Sequence, residues 1–279
     1  LFDFCLHTPM ILLAGTGLLT PLSKRKNSFS WPAGFLALGL TLGLFGAAAW
    51  VPVLLGQARA LEAESRYPQS LQCLDTAVRL DAWDARVQAA RADFLESLYL
   101  NTNDDVWKSR SDEAFASVMN LERADGRWAE QKADRLSRRF EKSPSPLSAS
   151  LAEAAWANAR LAAPLNAFVF FKEGFFRETE SQWAKKNDPS RLKFLAQEAS
   201  ADFQRAAALE PNYSSAWVDL GYCQKRDPST RPLARESFRK ALAVYDQWKG
   251  AERIAPLEKQ MVALPPSVVS DLRKEVAAP

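Results

Sequence analysis

Apolar side chains are concentrated in two runs near the N-terminus of the chain. Residues 27–58 carry no charged side chain, and Trp31–Leu55 consists mostly of Leu, Ala, Gly and Phe. Because about 20 apolar residues in a helix cross the hydrocarbon core of a bilayer, this run predicts a transmembrane helix. The first run, Pro9–Leu22, is shorter and predicts a second span if it extends back through Phe2–Leu6.

A short basic loop, Ser23–Asn27, separates the two runs. It holds Lys24, Arg25 and Lys26 and no acidic residue. Loops of this charge remain on the cytoplasmic side of a membrane. We therefore expect the rest of the chain on the extracytoplasmic, periplasmic side of a bacterial inner membrane. Within the longer run, Gly39 and Gly43 have the spacing that lets a second helix pack closely, although lipid-facing glycine explains the pair equally well.

From residue 57 onward the pattern changes to charged, Ala-rich segments with helical spacing, and one arrangement of residues recurs. Its clearest copy has a small residue, an aromatic, an Ala, a Pro, a Trp and a Gly at Ala199, Phe203, Ala206, Pro211, Trp217 and Gly221. Further copies contain Ala152, Trp156 and Ala159, or Ala234, Phe238 and Ala241, and weaker copies contain Ser70, Leu74 and Ala77, or Ala114, Val118 and Leu121. Small residues let paired helices approach closely, and the aromatics fill the space beside them.

This pattern resembles the tetratricopeptide repeat (TPR). The sequence therefore predicts an all-α chain: a transmembrane helical hairpin over residues 1–56, then a TPR-like α-solenoid of helix pairs over residues 57–279. We expect Lys142–Pro146 to be a linker and Ser181–Phe194 to be an insertion that lengthens one repeat. Ser267–Val276 is predicted to form a capping helix with Ser267 as its N-cap.

Aromatic residues suggest a binding surface on one repeat. In the TPR register, Phe168, Phe171 and Phe175 fall on the stripe that lines the concave groove, where they would stack on sugar rings or grip an apolar peptide. The equivalent stripe of the next repeat carries polar candidates at Tyr222, Lys225 and Arg226. The alternative, which we favour because large exposed apolar patches are uncommon on monomers, is that the 181–194 insertion covers the aromatics as core.

The remaining composition gives no sign of catalysis. The chain has one His, three scattered Cys and a net charge of +3 without a basic stripe, so we predict no metal, no cofactor, no catalytic residue and no nucleic-acid partner. Acidic pairs such as Asp104 and Asp105 are better explained by surface solvation than by acid–base chemistry.

The segment Phe2–Pro9 has the sequence Phe-Asp-Phe-Cys-Leu-His-Thr-Pro. It resembles a segment near the end of the membrane domain in the O-antigen ligase and Wzy-type polymerase superfamily, whose members then have a last span and periplasmic TPRs. The resemblance implies a polytopic enzyme that transfers lipid-linked glycans and whose proposed catalytic residues precede this chain. Asp3 and His7 are its membrane-interface candidates: His7 would meet a lipid diphosphate or a sugar, or would instead hydrogen-bond Asp3.

Two functions follow from these observations. The first is the C-terminal anchor and TPR domain of a glycan ligase or polymerase, which positions a lipid-linked glycan or a partner protein; on this reading residues precede Leu1. The alternative is a membrane-tethered TPR scaffold or subunit of a membrane complex that does no chemistry. In both cases the expected partners are the lipid bilayer and a protein bound in the TPR groove.

Overall fold

A computed structural model describes residues 49–122, 125–249 and 261–277. All regular structure in these ranges is helical. Helical residues 49–63 are followed by α1 (Tyr67–Leu80), α2 (Ala85–Thr102), α3 (Asp105–Leu121), α4 (Gly126–Lys142), α5 (Pro146–Ala162), α6 (Ala167–Asn187), α7 (Pro189–Leu209), α8 (Ser214–Arg226), α9 (Arg231–Trp248) and α10 (Pro266–Ala277).

Turn chemistry explains where these helices begin. The side chains of Asp104, Asp125 and Asn166 each accept a hydrogen bond from a backbone N–H in the first turn of α3, α4 and α6. Ser145 and Ser148 form a reciprocal capping box at the start of α5, which satisfies N–H groups that have no partner within the helix. The predicted linker at Lys142–Pro146 is therefore a tight turn between two helices.

Contacts divide the chain into two units, Leu1–Arg91 and Ala92–Pro279, with the division inside α2. In the first unit, Val51 packs with Ala77 and Val87. The Ser70 hydroxyl donates a hydrogen bond to the Ala58 carbonyl oxygen at 2.9 Å. This unit is a small helical core that includes helical residues 49–63 and α1.

The second unit is built from helix pairs: α4 packs on α5, α6 on α7, and α8 on α9. We call α4, α6 and α8 the A-helices and α5, α7 and α9 the B-helices. The small–aromatic–Ala triplets of the three clear copies are buried on the B-helices, at Ala152, Trp156, Ala159, Ala199, Phe203, Ala206, Ala234, Phe238 and Ala241. The prediction of TPR-like helix pairs is confirmed.

Buried ion pairs cross these interfaces as well. Arg160 of α5 lies 2.6 Å from Glu173 of α6, and Arg177 of α6 lies 2.9 Å from Asp202 of α7. Arg191 of α7 contacts the buried Glu180 of α6 at 3.0 Å. Burying a charge is favourable only when it is paired, so these contacts fix how α6 sits on α5 and α7.

The predicted transmembrane hairpin has no support in the described structure. No helix among the described residues is long and apolar enough to cross a bilayer. The described residues begin at residue 49. The first predicted span, Gly39 and Gly43 therefore lie outside them, and so does the predicted span Trp31–Leu55 as far as residue 48. The rest of that span belongs to the helix that ends at residue 63, which passes through residues 56–57 without a break.

Two predicted features of the C-terminal half differ in detail. The Ser181–Phe194 segment does not form a separate insertion, because it extends α6 to Asn187 and begins α7 at Pro189. The last helix starts at Pro266, so Ser267 lies within its first turn and is not its N-cap. Proline at a first helical position is favoured because its missing N–H has no helical partner there.

Candidate functional site

A groove of about 430 Å³ runs along the A-helices of the second unit. It is lined by Asp134, Ser137, Arg138 and Glu141 of α4, Trp156 of α5, Phe171, Lys172, Phe175 and Phe176 of α6, Ser215, Val218 and Asp219 of α8, and Leu264, Pro265 and Val268 near the C-terminus. Most of these side chains are apolar or aromatic, with a few charged groups among them. This composition is typical of a ligand-binding cleft.

Helical spacing places the lining residues on one face of each A-helix. Phe171 and Phe175 are four residues apart on α6, and so are Ser215 and Asp219 on α8, so each pair shares a face. Gly174 and Gly221 of the same helices sit against the Phe203 and Phe238 rings of the B-helices. Close packing at the two glycines holds α6 and α8 against their B-helices beside the groove.

The three predicted groove phenylalanines have different environments. Phe168 stacks on Tyr213 with its ring centroid 6.1 Å away. Phe171 lies 4.6 Å from the Tyr213 ring and 5.7 Å from the Phe203 ring, so only part of it reaches the groove. Phe175 is 55% exposed and is the one of the three that offers a free aromatic face to a ligand.

The floor of the groove is closely packed. Trp156 is buried, and its indole N–H donates a hydrogen bond to the Ser137 hydroxyl at 2.8 Å. Phe176 is also buried, with its ring edge-on to Phe140 at 5.6 Å. Large buried aromatics in fixed geometry hold the helix backbones in place, so the groove is formed before any ligand binds.

One wall comes from the C-terminal segment, which the sequence did not predict. Met261 packs against the buried cluster that contains Tyr213, as Phe171 also does, and its carbonyl oxygen accepts a hydrogen bond from the Ser214 hydroxyl at 2.8 Å. Leu264 is buried with Val218 of α8. The aromatics are thus partly covered by residues 261–268, whereas the predicted cover, the 181–194 segment, continues α6 and α7.

The polar candidates on α8 are engaged elsewhere. The Tyr222 ring is edge-on to Phe238 at 5.2 Å. Lys225 pairs with Glu275 at 2.6 Å, and Arg226 pairs with Glu178 at 2.7 Å. None of the three is among the residues that line the groove. The membrane-interface candidates Asp3 and His7 lie outside the described residues.

The groove carries a carboxylate that the repeat pattern does not predict. Asp219 is largely buried; burial and the nearby charge of Glu178 together raise its pKa to about 7, against the opposing charge of Arg226. Asp219 lies between Trp217 and Gly221 of the repeat pattern, which sets no residue type at that position. Asp219 follows Ser215 by four residues and therefore shares its face of α8. That spacing is the sequence feature that could have placed Asp219 in the groove.

Replacement of this carboxyl group should make stability less dependent on pH. A carboxyl group with a raised native pKa holds more protons in the native state, so stability falls as pH rises from about 4 to about 7. We expect Asp219→Asn to increase the free energy of unfolding by about 1–2 kcal/mol at pH 8, because partial exposure screens the full linkage value. At pH 4 the difference should vanish. Urea unfolding at both pH values measures it, and a difference that is the same at both would contradict the assignment.

Cysteines and acidic groups give no further site in the described part of the chain. No cluster of three or more His, Cys, Asp or Glu with metal-binding geometry is present there. Cys223 is buried, and burial raises the pKa of its thiol to about 11. A thiol of this kind is protonated at neutral pH and a poor nucleophile.

Comparison with known proteins gives similarity in structure only. No family model matches the chain, and no curated protein matches it. Solved structures that match include YrrB, described as a TPR protein with an unusual peptide-binding site, at 15% identity and a TM-score of 0.41 over 68% of this chain and 84% of that one. A thermophilic TPR protein of Thermus thermophilus matches at 16% identity and 0.46 over 81% and 97%. MamA matches at 11% identity and 0.47 over 74% and 97%.

The resemblance to glycan ligases and polymerases is therefore wrong. It rested on the eight residues Phe2–Pro9 and on the predicted spans, whereas the matching structures include TPR proteins and no family model supports the enzyme. A short motif next to an apolar run recurs by chance, because few residues are specified. Lipid and glycan partners have no support from the comparisons either.

Proposed function

We propose that this chain is a protein-interaction scaffold whose A-helix groove binds an extended, largely apolar segment of a partner protein. The observation that carries the proposal is Phe175: an aromatic ring more than half exposed, in a groove with a closely packed, buried floor. Exposed aromatics in preformed grooves are the usual anchors of protein recognition, since they bury much apolar area at little cost in side-chain entropy.

The polar groups of the groove suit a peptide backbone. Ser215 lines it on the α8 side, and Lys172 and Arg138 line it on the α6 and α4 sides. Hydrogen bonds from such groups to peptide carbonyls set the register of a segment whose apolar side chains supply the affinity. The apolar wall at Leu264 and Pro265 closes the α8 side of the groove, so we expect the ligand to enter along α4 and α6.

The partner segment should be found by selection from a displayed library of random peptides against the full chain. Phe175→Ala should weaken the selected peptides at least about tenfold, which is the loss expected for an exposed aromatic anchor. The same substitution should change the free energy of unfolding by less than about 1 kcal/mol, because the ring is already largely exposed. Fluorescence anisotropy measures the first effect, and urea unfolding measures the second.

Phe194 provides a matched control. It is 54% exposed, lies on the B-helix α7 and is not part of the groove, so Phe194→Ala should leave peptide affinity within about twofold. Equal losses from Phe175→Ala and Phe194→Ala would show that the selected peptides bind exposed aromatics nonspecifically, and the proposed function would fail. Phe171→Ala is unsuitable because Phe171 also packs on Phe203 and Tyr213.

We further propose that the scaffold is tethered to a membrane and faces the extracytoplasmic side. The support is in the sequence: an uncharged stretch over residues 27–58 and the basic loop Ser23–Asn27. In a background with the three native cysteines replaced, an impermeant thiol reagent should label Lys185→Cys on intact spheroplasts and should not label Ser23→Cys. Lys185 is exposed near the end of α6. The reverse labelling pattern would contradict this orientation.

A further inference from the structure

The basic side chains of the groove are already neutralised. Arg138 lies 3.0 Å from Asp134, and Lys172 lies 3.0 Å from Glu130 and 3.7 Å from Asp134. Both cations therefore have a carboxylate partner before any ligand arrives. An anionic ligand would have to compete with these pairs, so the basic residues do not make the groove selective for negative charge.

Two carboxyl groups of the groove are in the opposite situation. Asp219 on α8 and Glu141 on α4 both line it, and neither has a hydrogen bond or an ion pair among the described residues. The positive charge of Arg226 lowers the pKa of Asp219, but its guanidinium group already pairs with Glu178 at 2.7 Å. Asp219 is partly buried, and a carboxylate there without a paired counter-charge is costly, whereas Glu141 is exposed and keeps most of its water. A ligand cation therefore relieves a cost chiefly at Asp219.

The pKa shifts agree with this geometry. Burial raises the pKa of Asp219, and burial together with the charge of Asp134 raises the pKa of Glu141, although Arg138 acts against it. Each shift reflects a carboxylate whose negative charge is poorly compensated. The groove lining holds three acidic residues and two basic ones, and the excess of negative charge lies at Asp219 and Glu141.

Phe175 lines the same groove and supplies an apolar surface beside these carboxylates. Lysine and arginine combine an alkyl stem that packs on apolar surface with a cation that remains near polar groups. The cation is also attracted to the face of an aromatic ring. An exposed ring with unpaired carboxylates on the neighbouring walls is complementary to such a side chain in both shape and charge.

We propose that the groove selects an apolar peptide segment that carries a lysine or arginine, whose alkyl stem packs on Phe175 and whose cation pairs with Asp219 and Glu141. This inference rests on the proposed function, because it specifies the ligand of the same groove. It assigns Phe175 to affinity and the two carboxylates to selectivity for charge. Acidic segments of otherwise similar composition are rejected because they meet the uncompensated carboxylates.

The test uses the peptides obtained by selection against the full chain. Their sequences should be enriched in lysine or arginine at one position, and the tightest peptide is then made with that residue or with norleucine. Norleucine should weaken binding to the wild-type chain about tenfold, as expected for a partly desolvated charge pair. Asp219→Asn should weaken the cationic peptide by a similar factor and leave the norleucine peptide unchanged, and Glu141→Gln should have the same effect to a smaller extent.

Glu113→Gln is the matched control, since Glu113 is exposed on α3 and outside the groove. Selected peptides without a cation, or equal affinities for the cationic and norleucine forms, would overturn this inference and leave the proposed function intact if Phe175→Ala still weakens them. A selection that yields no peptide dependent on Phe175 would overturn both. Thermal unfolding of each variant verifies that a loss of binding does not come from a loss of folding.

Discussion

Replacing Glu96 by alanine should lower the free energy of unfolding by about 3–5 kcal/mol, the range for a buried charge pair that loses one partner. Glu96 of α2 is 1% exposed. It accepts hydrogen bonds from Nε and Nη2 of Arg139 at 2.8 and 2.5 Å and from the Ser111 hydroxyl at 2.9 Å. Arg135 also lies 3.7 Å away. The substitution therefore leaves two buried guanidinium groups short of negative charge.

The electrostatics of this cluster set the direction of the effect. Although burial raises the pKa of Glu96, the hydrogen bonds and charge of Arg139 and the charge of Arg135 hold it below its ordinary value. The native state thus favours the ionised carboxylate, and its stabilising effect is present above the pKa of the unfolded chain and is lost as pH falls through the native pKa. Arg139 keeps a second partner in Asp112 at 2.9 Å, which places the expected loss at the lower end of the range.

Urea unfolding at neutral pH, followed by circular dichroism, measures the loss. Glu236 offers the control, because it pairs with Arg239 at 3.5 Å with both side chains more than half exposed. Glu236→Ala should cost less than about 0.5 kcal/mol. A loss below about 1 kcal/mol for Glu96→Ala would mean that the cluster does not contribute to the stability of the second unit.

The second large effect concerns Gly221, which should not tolerate even a methyl group. A Cβ at this position would lie 2.5 Å from Cδ1 of Phe238 and closer still to Cε1. Phe238 is 1% exposed and cannot move aside, so α8 and α9 would have to separate. Overpacking of this kind costs about 1–3 kcal/mol, which outweighs the gain of about 1 kcal/mol from replacing glycine within a helix. We expect Gly221→Ala to lower the free energy of unfolding by about 2 kcal/mol.

Gly56 gives the opposite expectation for the same chemical change. It lies in a helix, and no atom is within 4 Å of the position that its Cβ would occupy. Gly56→Ala should therefore be neutral or stabilising by up to about 1 kcal/mol. Adding Phe238→Leu to Gly221→Ala should recover part of the loss, because the smaller side chain removes the clash. If Gly221→Ala were as well tolerated as Gly56→Ala, the close approach of α8 and α9 would be incorrect.

Packing at each repeat could be predicted because it depends on local pattern. Small and aromatic residue types recur at fixed spacing, as at Phe203, Ala206 and Gly221. The reason is that paired helices cross closely only where one side chain is small and an aromatic fills the adjacent space. That spacing gave the helix pairs and the groove-facing stripe of α6. Phe175 belongs to that stripe and is exposed, whereas the sequence favoured its being covered as core.

Features that depend on long-range contacts could not be predicted in this way. The partial burial of Phe171 follows from Tyr213, which belongs to the following repeat, and the groove wall at Leu264 follows from the return of the C-terminal segment to α8. The role of Glu96 was missed for a related reason. Acidic residues on a helical pattern are usually solvated surface, and only the approach of Arg139 of α4 makes one of them a buried partner.

Whether the A-helix groove is the surface on which a partner binds can be decided by photo-crosslinking. The full chain is crosslinked to the tightest selected peptide, which carries a photoreactive phenylalanine analogue, and the modified residues are mapped by mass spectrometry. We expect crosslinks to α4, α6 and α8 around Phe175, and these should disappear when unlabelled peptide is added in excess. Crosslinks on the B-helices around Phe194, with none in the groove, would show that the partner binds elsewhere.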